Sequence, residues 1–139
     1  ARQAYWAEQT EIQRVIVSAW AARAGGRLPE AFQLLRAAVE REDATEKHPV
    51  TPGPLAPARE LLGEMLLETS QPAEALKEFE ATMRVEPNRF RTVAGAARAA
   101  ELAGDTAKAR SYYAQLVALT ENADSERPEV KQAKAFLGK

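Results

Sequence analysis

Few residues in this chain are suited to covalent or acid–base chemistry. His48 is the only histidine, and cysteine is absent. Thiol chemistry and disulfides are therefore excluded, and any imidazole-activated nucleophile would have to reach His48. Paired carboxylates occur at Glu40, Glu42 and Asp43, at a helix end where such groups are ordinarily solvated. Gly25-Gly26 lacks the Lys-Ser/Thr that follows the glycines of a phosphate-binding loop. Glu42, Asp43, Glu46 and His48 offer oxygen and imidazole donors to a metal ion. They equally form a charged loop with one surface histidine, because the spacing of a metal-ligand motif is missing. Neither a catalytic residue nor a cofactor is expected, and the residue types point to binding instead of turnover.

Composition narrows the class further. With 139 residues and a net charge of −1, the chain is long enough for one domain with a core, and it carries no electrostatic footprint for nucleic acid. Alanine is abundant and β-branched residues are few, which favours helix throughout. No apolar run approaches the ~20 residues of a membrane span. Nothing in the composition fixes a compartment.

Hydrophobic spacing predicts the elements. Residues 1–24 read as one helix, with Tyr5, Ile12, Val15, Ala19 and Ala22 on one stripe and Trp6, Ile16 and Trp20 on its neighbour. Gly25-Gly26 ends that helix, and Pro29 suits the first turn of a second that runs through Ala31, Leu35 and Val39. Residues 46–55 form an insertion containing His48-Pro49-Val50-Thr51-Pro52-Gly53-Pro54. Its prolines forbid a continuous helix and make it either a rigid strap or a recognition loop. Pro57 is expected in the first turn of the next helix, and Asn88 as the cap of the one after Pro87. Gly104-Asp105 forms a turn, 122–126 is a polar loop, and a short helix occupies about 127–137.

One stretch sets the pattern for the rest. Leu62-Gly63, Leu66, Ala75, Phe79 and Pro87 follow the order and spacing of a helical hairpin repeat of ~34 residues. Gly63 and Ala75 let two helix backbones approach, the larger side chains fill the crossing, and Pro87 stops the second helix. Ala97, Ala109 and Tyr113 repeat Gly63, Ala75 and Phe79 at a distance of 34 positions. The region resembles a tetratricopeptide (TPR) repeat, with Arg59 and Leu66 standing at the Trp and Tyr places of the pattern. Aligning Ala31 with Ala75 adds a more divergent unit, which gives repeats at about 12–45, 56–89 and 90–123. Glu121 stands where Pro87 would, so the last of these helices is expected to fray. Residues 1–11 extend the first helix or belong to an earlier unit.

The resemblance implies an all-α, TPR-like superhelical stack of three helix pairs plus a C-terminal capping helix, with 1–139 as a single domain. Lys131, Gln132 and Lys134 would form the polar outer face of that cap. In such proteins the first helix of each pair lines a concave groove. This would place Gln13, Ile16, Trp20 and Arg23 on the groove from the first unit. Glu60, Glu64, Leu67 and Glu68 come from the second, and Arg91, Ala94, Arg98 and Glu101 from the third. Glu60, Glu64 and Glu68 share one helix face, as do Arg91 and Arg98, and these stripes either pair with each other or engage a ligand. The two-carboxylate clamp of chaperone-binding TPR domains is not expected, since Ile16, Trp20, Leu61, Arg91 and Gly95 occupy its positions and only Arg91 fits.

The expected function is a non-enzymatic interaction scaffold that holds a partner protein or peptide in the groove, using Gln13, Trp20, Arg23, Glu60, Glu64, Glu68, Arg91, Arg98 and Glu101. No nucleic acid, metal or membrane span is expected. Two alternatives stand beside it. One is a small-ligand or metal-binding domain built on the Pro-rich loop and His48. The other is homo-oligomerisation through the N-terminal helix, which bears Tyr5 and Trp6.

Overall fold

The structure, a computed structural model, describes residues 2–46 and 54–138. Among these the chain is all-α, with seven helices and no strand. They are α1 (Arg2–Ala24), α2 (Leu28–Asp43), α3 (Ala58–Glu68), α4 (Pro72–Val85), α5 (Phe90–Leu102), α6 (Thr106–Leu119) and α7 (Pro128–Leu137). The insertion's centre, His48 included, lies outside the described residues. By contacts the chain divides into two compact units, Ala1–Leu62 and Gly63–Lys139.

The three hairpin turns are built alike. Gly26, Ser70 and Gly104 have φ of 75°, 61° and 80°, the left-handed geometry that closes a helix C-terminus. After each one the next amide reaches back into the preceding helix: Arg27 N to Ala22 O at 2.9 Å, Gln71 N to Leu66 O at 2.8 Å and Asp105 N to Ala100 O at 2.9 Å. Glycine adopts this conformation without strain, and Ser70 adopts it despite its Cβ. The second and third turns lie 34 positions apart, and α4 and α6 start and stop with the same offset. Pro72 opens α4 at its first position, where the missing N–H costs nothing, and Asp105 caps α6 by accepting from Lys108 N at 3.0 Å.

Two local expectations are corrected. Asn88 does not cap α5. Arg89 is the N-cap residue, without a side-chain bond, while Asn88 takes φ 63° and accepts from Gln115 Nε2 at 3.1 Å. Pro57 precedes α3 instead of entering it, its carbonyl accepting from Leu61 N at 3.1 Å. α6 ends at Leu119, in register with Val85 of α4, and the Thr120 hydroxyl donates back to Leu116 O at 3.0 Å.

In the first unit, α1 packs on α2. Ile12, Val15, Ile16, Ala19 and Ala22 are buried on one helix, and Ala31, Leu35, Ala38 and Val39 on the other. Arg41 binds Glu8 with two hydrogen bonds of 2.7 and 2.9 Å across the pair. The start of α3 is tied to the end of α2, where Glu42 Oε1 accepts from Ala58 N at 3.0 Å and Arg59 pairs with Asp43.

In the second unit α4, α5, α6 and α7 pack in chain order. Alanine makes this possible. Ala96, Ala97, Ala99 and Ala100 of α5 are all fully buried, so its backbone lies close to both α4 and α6. The Phe79 ring fills the space that remains. A Cβ on Gly63 would sit 2.9 Å from that ring, and one on Gly95 only 2.5 Å from it. Two helices therefore close on one aromatic because both present bare backbone to it. The last helix, α7, buries Val130 and Ala133 and lays Phe136 on Tyr113 with ring centroids 4.9 Å apart.

Gly95→Ala tests this arrangement. Helix propensity alone would reward the change by about 1 kcal/mol. The clash with Phe79 opposes it, and overpacking of this kind costs about 1–3 kcal/mol. Urea denaturation is expected to show net destabilisation, largely relieved in the double variant with Phe79→Leu. Strictly additive costs in the double variant would mean the ring does not press on Gly95.

Candidate functional site

The second unit contains a hollow of about 350 Å³ formed by the first helices of successive pairs. Glu64 and Leu67 come from α3, and Arg91, Ala94, Gly95 and Arg98 from α5. Arg127, Glu129 and Gln132 close the far side at α7, with the rings of Phe79 and Tyr113 beneath. Glu64, Arg98 and Gln132 are spaced by 34 positions, so one repeat position supplies a groove side chain from each of the three helices. A larger recess, about 710 Å³, lies between α6, α7 and the polar segment joining them. That recess lacks an aromatic floor and draws on no set of equivalent positions.

The hollow's charges are organised as neighbouring pairs. Arg91 holds Glu64 through both carboxylate oxygens at 2.7 Å. Arg98 pairs with Glu101 at 3.0 Å. Arg127 lies over the Phe90 ring, 4.5 Å from its centroid, with Glu129 Oε2 at 3.7 Å from Arg127 Nε. That Glu129 oxygen is buried and accepts no hydrogen bond among the described residues. Between these pairs Leu67, Ala94 and Gly95 remain half-exposed and supply an apolar strip.

A hydrogen-bonded cluster fixes α7 beside the hollow. The Tyr113 hydroxyl donates to Glu101 Oε2 at 2.6 Å and accepts from Gln132 Nε2 at 2.9 Å. Gln132 also reaches Glu101 Oε2 at 3.1 Å. Burial pushes the Glu101 carboxyl up, but the Tyr113, Arg98 and Gln132 donors outweigh it and leave the group below its ordinary range. Tyr113 moves the other way, raised first by burial and then by the adjacent carboxylate. Glu80 on α4 repeats the theme. Burial raises it, the Lys108 and Tyr112 bonds lower it further, and Tyr112 is pushed up to about 12.

The sequence-derived groove residues do not share one environment. Glu64, Arg91 and Arg98 line the hollow, and Glu101 anchors its edge. Glu68 is exposed at the end of α3. Glu60 corrects the expectation of a shared acidic face, because it is fully buried. Its position in the first turn of a short helix covered on most sides outweighs the i, i+4 pattern. In the first unit Gln13 is exposed on α1, while Trp20 and Arg23 are partly covered, with the guanidinium 5.7 Å from the Trp20 centroid. Gln132 is exposed on the cap, and its amide also donates to the Tyr113 hydroxyl. Arg127, Glu129 and Gly95 were not placed in the hollow by helix periodicity. The 34-residue offset from Arg98 would have located Gln132.

Among the described residues, no cluster of three or more His, Asp or Glu side chains is gathered to hold a metal, and no helix is long and apolar enough to cross a membrane. The chain matches no family model and no curated protein. Among solved structures it is similar to PcrH from Pseudomonas aeruginosa, with a TM-score of 0.69 and 16% identity, over 93% of this chain and 90% of that one. At that identity the likeness speaks to fold: the chain has a helical-repeat fold of the tetratricopeptide type.

The cluster at Glu101 has a pH signature. A carboxyl whose folded pKa is depressed stabilises above its unfolded pKa of about 4.3, and that contribution is lost as pH falls through the folded value. Tyr113→Phe removes one donor and is expected to cost about 1–2 kcal/mol at pH 7. The cost should shrink in urea denaturation as the pH is lowered through the range in which folded Glu101 takes up its proton. A cost that stays constant down to the acid unfolding limit would detach the hydroxyl from the carboxylate.

Proposed function

We propose that the chain is a non-catalytic interaction scaffold whose hollow at α3, α5 and α7 holds a segment of a partner protein. The observation that carries this reading is the alignment of Glu64, Arg98 and Gln132, equivalent repeat positions, around an apolar strip of Leu67, Ala94 and Gly95. A partner's apolar side chain would sit on the strip. Its polar and charged neighbours would meet groups already held in place by Arg91–Glu64 and Arg98–Glu101, so little side-chain ordering would remain to be paid on binding. The helical-repeat fold is compatible with such a role and does not by itself assign it. Gln13, Trp20 and Arg23 belong to the other unit, and the reading does not require them.

Selection of short peptides from a displayed library against the folded chain tests the proposal. Ala94→Trp fills the strip without touching the buried side of α5. Selected peptides are expected to bind it at least tenfold more weakly, a difference of about 1.4 kcal/mol, with Arg98→Glu also impaired. Peptides that bind Ala94→Trp as well as the parent chain, or a library that yields no binder, would remove the proposal.

A further inference from the structure

The outer face of α1 is unlike that of the other helices. Opposite the buried Ile12, Val15, Ala19 and Ala22, it carries Gln3, Trp6, Thr10, Gln13, Val17, Trp20 and Ala24, spaced alternately by three and four residues. At 3.6 residues per turn, the positions from Trp6 to Ala24 fall within roughly 80° of arc, the geometry of a coiled-coil seam. Trp6 is 46% exposed and Val17 67% exposed, the two large apolar side chains of α1 most open to solvent. A 23-residue helix thus presents a continuous, half-apolar stripe to water.

We propose that this stripe pairs with the same stripe of a second copy, the two α1 helices running antiparallel. The stripe is self-complementary in one register. Trp6 lies on Val17 of the second copy, Thr10 on Gln13 and Gln3 on Trp20, each contact occurring twice by two-fold symmetry. Each of the two exposed apolar groups covers the other, and polar groups meet polar groups or the indole N–H. Antiparallel packing also opposes the helix dipoles, which a parallel pair would align. The overlap runs for about 27 Å. A contact of that size belongs with weak, transient interfaces of under ~1,200 Å², so monomer and dimer exchange.

The absence of cysteine makes the register directly testable, since introduced thiols are the only ones present. A mixture of Thr10→Cys and Gln13→Cys chains is expected to give an oxidised species of twice 15.2 kDa. Gln3→Cys alone is expected to stay uncrosslinked, its two copies lying about 25 Å apart. Sedimentation of the unmodified chain should show mass rising with concentration, and Val17→Glu, with its helical circular dichroism retained, should remain monomeric. A monomer mass at every concentration up to ~1 mM, where even a very weak pair would form, overturns the proposal. Ready self-crosslinking of Gln3→Cys, or an undisturbed dimer in Val17→Glu, overturns it equally.

Discussion

The second unit depends on how closely α3 and α5 approach the Phe79 ring. An aromatic fills an inter-helix gap only if the facing backbones leave room for it, and here Gly63 and Gly95 leave that room. Interiors are packed too densely to absorb an extra methyl group at this distance without displacement. The ring therefore fixes the spacing of the two helices and keeps Ala94 and Gly95 at the surface beside Leu67. The floor of the hollow and the packing of the core are two sides of the same contact.

Electrostatics then shape what the hollow can recognise. Its arginines are not loose cations, since Arg91 and Arg98 are each held by a glutamate, and Arg127 rests on Phe90. Exposed pairs of this type contribute little to stability, but they hold long side chains in defined places. Binding at such a surface draws on shape and preset donors and acceptors more than on net charge. Gln132 and Tyr113 extend the same logic to α7, which reaches the hollow through hydrogen bonds to Glu101 as well as through Val130 and Ala133.

Local rules in the sequence reached the elements almost to the residue. Gly26 and Gly104 marked turns and Pro87 a stop, because each acts through its own backbone. The offset between Ala75 and Ala109, or Phe79 and Tyr113, aligned the pairs, and all four side chains are buried. What periodicity missed depends on neighbours distant in sequence. Glu60 fits a surface stripe by spacing, yet it is buried by what surrounds the start of α3. Asn88 looks like a cap and instead turns the chain, since Gln115 reaches it from α6. Gly95 sits among alanines whose smallness masks its role, and only Phe79 against it reveals why a side chain is missing there. The pairing of Arg91 with Glu64 was one of two readings of the charged stripes, and the structure contains that pair. His48 and the centre of the insertion lie outside the described residues.

The central claim is that equivalent repeat positions on α3, α5 and α7 converge on one binding hollow. Amide hydrogen exchange with and without a saturating library-selected peptide tests this most directly. The account predicts slowed exchange in the stretches around Glu64–Leu67, Arg91–Arg98 and the first turns of α7, with Arg2–Ala24 unchanged. Protection confined to Arg2–Ala24, or to the α6–α7 recess, would contradict it.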